Sequence, residues 1–187
     1  PADQDYTVRS RITECLNLAE SAKTMLGTDA TSVNDLDIAV AAWNRQANGT
    51  GATSKYVKSV LMNTTGDTRG ELTVTFDGAA VGVKTGEDTL VLTPWINDGT
   101  NKTRLAKALT DCVSGNLDWS FQSATNATAT TQILAPGTSG TVLHKYAPSH
   151  CRSSPILASS AVSLLFRASR VFSFSPRRVP LHHRFCL

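Results

Sequence analysis

The opening run PADQDYTVRSRITECLNLAESAKTML, residues 1–26, constrains the fold more than any other stretch. Val8, Ile12, Leu16, Ala19, Ala22 and Leu26 recur every three or four residues, so they line one face of a helix. Pro1 suits a first helical position, Asp3 and Asp5 complement the positive N-terminal end, and Gly27 supplies a stop. Asp5 with Arg9 and Glu20 with Lys23 are spaced to pair on the wet face, for about 0.3 kcal/mol each. A helix of about 26 residues is about 39 Å long, longer than a small domain is wide. The core covers only one side of such a rod, so the remaining chain should wrap that side.

Beyond Gly27 the chain predicts one more helix and then strands. Ser32 is an N-cap with Asp35 three residues on, and Leu36, Val40 and Trp43 recur at helical spacing as core residues. Gly49 and Gly51 end that region. Residues 55–62 place Tyr56 beside alternating Val57, Ser59 and Leu61, and in 71–76 Leu72, Val74 and Phe76 point inward. Residues 89–96 form a third apolar run, with Pro94 expected at a strand end or on an edge. In 117–123 Leu117, Trp119 and Phe121 alternate. Turn residues Thr65-Gly66-Asp67, Asp77-Gly78 and Thr85-Gly86 separate these runs. Residues 105–112 read as a loop or one helical turn, and 124–141 as a polar surface hairpin or loop with Ile133 and Leu134 inward. A long helix followed by about four strands joined by tight turns is α+β, an antiparallel sheet packed on the helix. No strand–helix–strand alternation suggests a parallel nucleotide-binding sheet.

At 187 residues and 41% hydrophobic, the chain is long enough for one domain with a proper core plus a tail. All 15 acids lie at or before Asp118, against 11 Lys and Arg there, while residues 119–187 carry seven basic residues and no acid. No run of about 20 apolar residues and no signal peptide is present. The histidines (His144, His150, His182 and His183) lack the spacing of a closed zinc site. Gly-x-Ser-x-Gly, His-Glu-x-x-His and phosphate-cradling loops are missing as well, and the acids read as solvated faces. The expectation is a non-enzyme without metal or cofactor.

PA-x-QDYTVRSRITE-x-LNLAESAKT resembles the segment that follows the membrane-embedded part of the helix in type IV major pilins. A second element, Lys-Tyr-Ala-Pro-Ser-x-Cys-Arg at 145–152, resembles the closing residues of one subgroup of these pilins. The resemblance covers roughly 1–152 and implies the pilin fold: a long helix on a sheet of about four strands, with a disulfide-closed C-terminal region. Carried over by position, the bond joins Cys112 and Cys151, bounding 112–151. Closing about 40 residues would remove roughly 4 kcal/mol of unfolded-chain entropy, and such bonds belong outside the cytoplasm. Cys15, beside the apolar stripe, reads as a buried inert residue, and Cys186 as free or intermolecular.

The resemblance also implies a function: a structural subunit that polymerises into an extracellular surface filament for adhesion, twitching motility, DNA uptake or phage attachment. Tyr6, Val8 and Ile12 are the expected subunit-contact residues on the helix. His144, Lys145, Tyr146, Ala147, Pro148, Ser149 and His150 are the expected receptor-contact loop, facing a host surface or phage. The family's apolar half-helix, held in the inner membrane before assembly, is absent here, so the chain resembles a form lacking it. Two alternatives stay open, a nucleic-acid-binding accessory pilin and a secretion pseudopilin. The first is suggested by residues 153–187, which hold five Arg and eight Ser and lack Gly, Asp, Glu, Asn, Gln, Lys and Thr. That vocabulary fits an out-of-frame extension, a natural extension contacting membrane or DNA through Arg167, Arg170, Arg177, Arg178 and Arg184, or an integrated helix.

Overall fold

The computed structural model describes residues 2–124 and 138–148. These lie in one compact unit, residues 1–153. The rod is helix α1 (Ala2–Asp29), with Val8, Ile12, Cys15, Leu16, Ala19, Ala22 and Leu26 buried. It runs through Gly27, the expected stop. The helix interior there is intact, and a methyl on Gly27 would meet only Leu117 Cδ2 at 3.6 Å. The wet side is a polar row in which Thr7, Thr13, Thr24 and Thr28 return their hydroxyls to carbonyls one turn back. Glu20 and Lys23 pair at 2.9 Å as their spacing implies. Asp5 and Arg9 do not pair with each other, because both reach Lys145 instead.

Helix α2 (Val33–Gly49) starts as expected, the Ser32 hydroxyl accepting from the Asp35 N–H at 3.1 Å. Left-handed backbone at Ala47 and Asn48 then unwinds it. The sheet is antiparallel and has five strands: β1 (Val57–Met62), β2 (Leu72–Phe76), β3 (Thr89–Asn97), β4 (Lys102–Arg104) and β5 (Asn116–Gln122). β3 is its centre. β5 covers one side of β3 from Val91 to Asn97, while β2 takes Thr89–Leu92 and β4 takes Trp95–Asn97 on the other. Pro94 therefore lies inside the central strand, not at an end. Residues 93 and 94 fall in the gap between β2 and β4, so the strand is locally an edge where Pro94 has no N–H to give.

The helix-facing side of the sheet holds Leu72, Val74 and Phe76 as expected. In β1 the inward set is Val57, Val60 and Met62 rather than the even alternation Val57, Ser59, Leu61. A register shift between Val57 and Ser59 inserts one residue and swaps the faces beyond it. In β5, Leu117, Trp119 and Phe121 face α1, where the Lys23 ammonium lies 5.8 Å and 5.4 Å from the Trp119 and Phe121 rings. The opposite side of the sheet carries a buried polar chain. Thr93 Oγ1 lies 2.8 Å from Glu71 Oε2 and 3.2 Å from Gln122 Oε1, and Ser120 Oγ accepts from Gln122 Nε2 and Trp95 Nε1. Glu71, 4% exposed, departs from the reading of the acids as solvated faces.

Short elements complete the described chain. Asp77 caps helix α3 (Gly78–Val81), and the stretch expected as a loop or single turn contains helix α4 (Leu105–Thr110). Residues 138–142 return along β3, where Thr141 Oγ1 accepts the N–H groups of Asp88 and Thr89. Ile133 and Leu134, expected inward, lie outside the described residues.

Candidate functional site

Three regions bear on assembly and contact: the start of α1, the 144–148 segment against it, and the far end of the sheet. Arg11 ties the start of α1 to α3, its Nη1 donating to the Ala80 and Val81 carbonyls at 3.0 Å and 3.2 Å. With α1 so fixed, the periodicity decides which side chains face out. Val8 and Ile12, expected as subunit contacts, are 6% and 0% exposed and belong to their own subunit's core. Tyr6 is the residue of that set that faces solvent, at 71%. Their place follows from the stripe itself, since apolar side chains at that spacing fill the core.

Residues His144–Tyr146 form a 3-10 turn packed on α1. Arg9 grips that turn, its Nε and Nη2 donating to the Lys145 carbonyl at 3.2 Å and 2.9 Å. Lys145 Nζ reaches Asp5 at 3.4 Å and lies 4.4 Å from the Tyr146 ring centroid. A hydrogen bond to Tyr146, then the Asp5 partnership, raise the Lys145 pKa above its ordinary value. Of the expected receptor loop, Lys145 is exposed, His144 and Tyr146 are half-buried, and Ala147 and Pro148 are buried; Ser149 and His150 lie outside the described residues. The loop is therefore a short turn seated on the rod. Its anchors, Arg9 and Asp5, gave no signal beyond their charge.

At the other end of the 1–153 unit's sheet a cleft of about 350 Å³ opens between α2 and the β1–β2 connection. Val40 and Ala41 form its apolar part, Thr64 and Thr65 its polar wall, and the 2.9 Å pair of Arg69 with Asp37 stands at its side. Ile38, 58% exposed, is a neighbour on α2. Sequence reasoning missed this cleft because its lining comes from two separate segments.

Cys15 is free and buried, and burial first, then the charge of Glu14, raises its pKa. Cys112 is disulfide-bonded. Cys151, the expected partner, and Cys186 lie outside the described residues, as does the 153–187 tail. Among the described residues no His, Cys, Asp and Glu cluster suits a metal ion, and no helix is long and apolar enough to cross a membrane.

Comparison with known proteins joins these features. The model of the pilin family, bacterial filament proteins, matches residues 8–152. A search of curated proteins finds no match. Among solved structures, a crystal structure of a type IV pilin from Pseudomonas aeruginosa strain Pa110594 is similar with a TM-score of 0.74 at 47% identity, over 78% of this chain and 98% of that one. The rod half-wrapped by an antiparallel sheet is the shared architecture, and the chain belongs to the type IV pilins, structural subunits of bacterial surface filaments.

Proposed function

We propose that this pilin builds a filament that adheres to host surfaces through residues 144–150, in a region closed by a Cys112–Cys151 bond. The seating of the 144–146 turn on α1 carries this reading: Arg9 fixes the turn's backbone and leaves the Lys145 side chain at the surface. A rigid turn presenting a cation and an aromatic ring loses little entropy on binding. Adhesion is favoured over twitching motility and DNA uptake because it needs such a presented patch. The bonded state of Cys112 supports the closure. Before assembly the subunit would be held in the inner membrane by an apolar segment not among these residues.

Lys145→Ala tests the reading on cells that display the filament. The Asp5 pair is exposed and screened by solvent, so the fold survives its loss. Adhesion to cultured host cells should fall several-fold at unchanged filament mass. Unchanged adhesion would reject the 144–150 segment as the contact. Peptide mapping without reductant should recover Cys112 linked to Cys151, and a Cys112–Cys186 link would reject the closure.

A further inference from the structure

We propose that Tyr6 of one copy seats in the cleft of the next copy, between α2 and the β1–β2 connection, as a head-to-tail contact with Asp3 set against Arg45. Among the described residues the exposed large apolar side chains are Tyr6 and Ile38. Tyr6 stands at the start of α1, and Ile38 follows the cleft-lining Asp37 on α2.

These places are at opposite ends of the module. Arg11 fixes the start of α1 beside α3, next to the Phe76 end of β2. Gly70 packs near Leu26 and Leu36 at the other end, where the β1–β2 connection forms the cleft wall. Tyr6 to Leu26 is 20 helical residues, about 30 Å along the rod. A knob and a socket separated in this way make a contact between unlike surfaces, which propagates as an open chain unless the rotation closes a ring.

The socket's chemistry suits a phenol. Ala41 offers an exposed apolar surface, and Arg69 offers a guanidinium for the ring face. Asp37, Thr64 and Thr65 offer oxygens to the phenolic hydroxyl. The flanking charges are complementary. Asp3 lies one turn before Tyr6, and Arg45 extends the Asp37–Ala41 row at four-residue spacing. Both are exposed, and neither makes an ion pair among the described residues.

The contact rests on the filament reading, and one set of variants separates the two. Tyr6→Cys and Ala41→Cys are introduced singly and together into chains displayed as filaments, which are then treated with a short bismaleimide. A ladder of dimers, trimers and higher species from the double variant, absent from either single variant, is the expected result. Filaments of normal yield without a ladder would overturn the contact and leave the filament reading standing. No filaments from the unsubstituted chain would remove both. If the cysteine pair blocks assembly, charge reversal decides. Asp3→Arg and Arg45→Asp should each lower filament yield at unchanged melting temperature, and the double reversal should restore it. Failure to restore would overturn the contact.

Discussion

The side-chain amide of Asn44 occupies both backbone groups of Met62: its Nδ2 donates to the Met62 carbonyl and its Oδ1 accepts the Met62 N–H, each at 2.8 Å. One residue earlier on α2, Trp43 Nε1 donates to the Val60 carbonyl at 2.8 Å, and the Val60 N–H bonds the Thr50 carbonyl. The outer edge of β1 is thus paired by side chains and a loop, not left open. For a subunit that must polymerise in one way, blocking strand-to-strand addition removes a competing mode.

Removing that block should be visible directly. Asn44→Ala leaves two half-buried backbone groups of Met62 without their partner, and since water can reach half-buried groups the total cost is about 1–3 kcal/mol. Chemical denaturation should show a loss in that range, and light scattering should show concentration-dependent association of the variant. A stable, monodisperse variant would show that the Asn44 pairing is dispensable.

Two glycines should respond in opposite directions to alanine. At Gly27, inside α1, a methyl finds ordinary contact with Leu117, so Gly27→Ala should stabilise by about 0.5–1 kcal/mol. Gly51 has φ +74 and its added methyl would overlap the Val60 carbonyl oxygen. Gly51→Ala should lower the melting temperature sharply or abolish folding. Equal effects at the two sites would contradict the packing described for them.

The two kinds of α1 residue should separate under substitution. Ile12→Ala removes a fully buried side chain and should cost about 2–5 kcal/mol. Tyr6→Ala removes an exposed one and should leave the melting temperature within about 1 °C. Filament yield should fall for Tyr6→Ala at unchanged stability. Loss of yield that tracked stability in both variants would return Tyr6 to a structural role.

What was legible in the sequence is the part governed by one period repeated many times. Six apolar residues at helical spacing specified α1 and its buried face, and Leu72, Val74 and Phe76 specified the face of β2. Single-residue events were not legible. The bulge at the start of β1 reverses its faces without a Gly or Pro to mark it, and β4 is only three residues long. Pro94 reads as a strand end or an edge, and the gap between β2 and β4 that makes it an edge exists only once the sheet is assembled. In the candidate site, periodicity already contained the answer for Val8 and Ile12, which belong to the stripe that fills the core, but not the grip of Arg9 on Lys145, which spans 136 residues.

Acid should weaken the fold partly through two aspartates. The Thr31 hydroxyl, then that of Ser32, hold Asp35 below its ordinary pKa, and the N–H groups of Asn101 and Thr100 do the same for Asp98. A folded pKa below the unfolded one means the unfolded chain binds more protons, so this stabilisation is present above the ordinary carboxylate pKa. It is lost as pH falls through that value toward the folded one. Asp35→Asn should flatten the acid limb of a stability–pH curve, and an unchanged limb would reject the role. Lys107 and Lys145 have raised pKa values, so their contribution is complete below the ordinary lysine pKa and is lost as pH rises from there through the raised folded value.

Cys15 should be inert. Its burial in the core and raised pKa predict no reaction with a thiol reagent at pH 8 until denaturant is added. Prompt labelling of Cys15 in the native protein would show that α1 leaves its seat on the sheet.

The filament itself is the most direct test. Cells producing this chain, and matched cells with its gene deleted, are sheared, and the released filaments are imaged by electron microscopy and identified by peptide mass. The expected result is thin filaments made mainly of this chain and lost on deletion. Filaments that persist after deletion, or that contain none of the chain, would contradict a rod built for polymerisation.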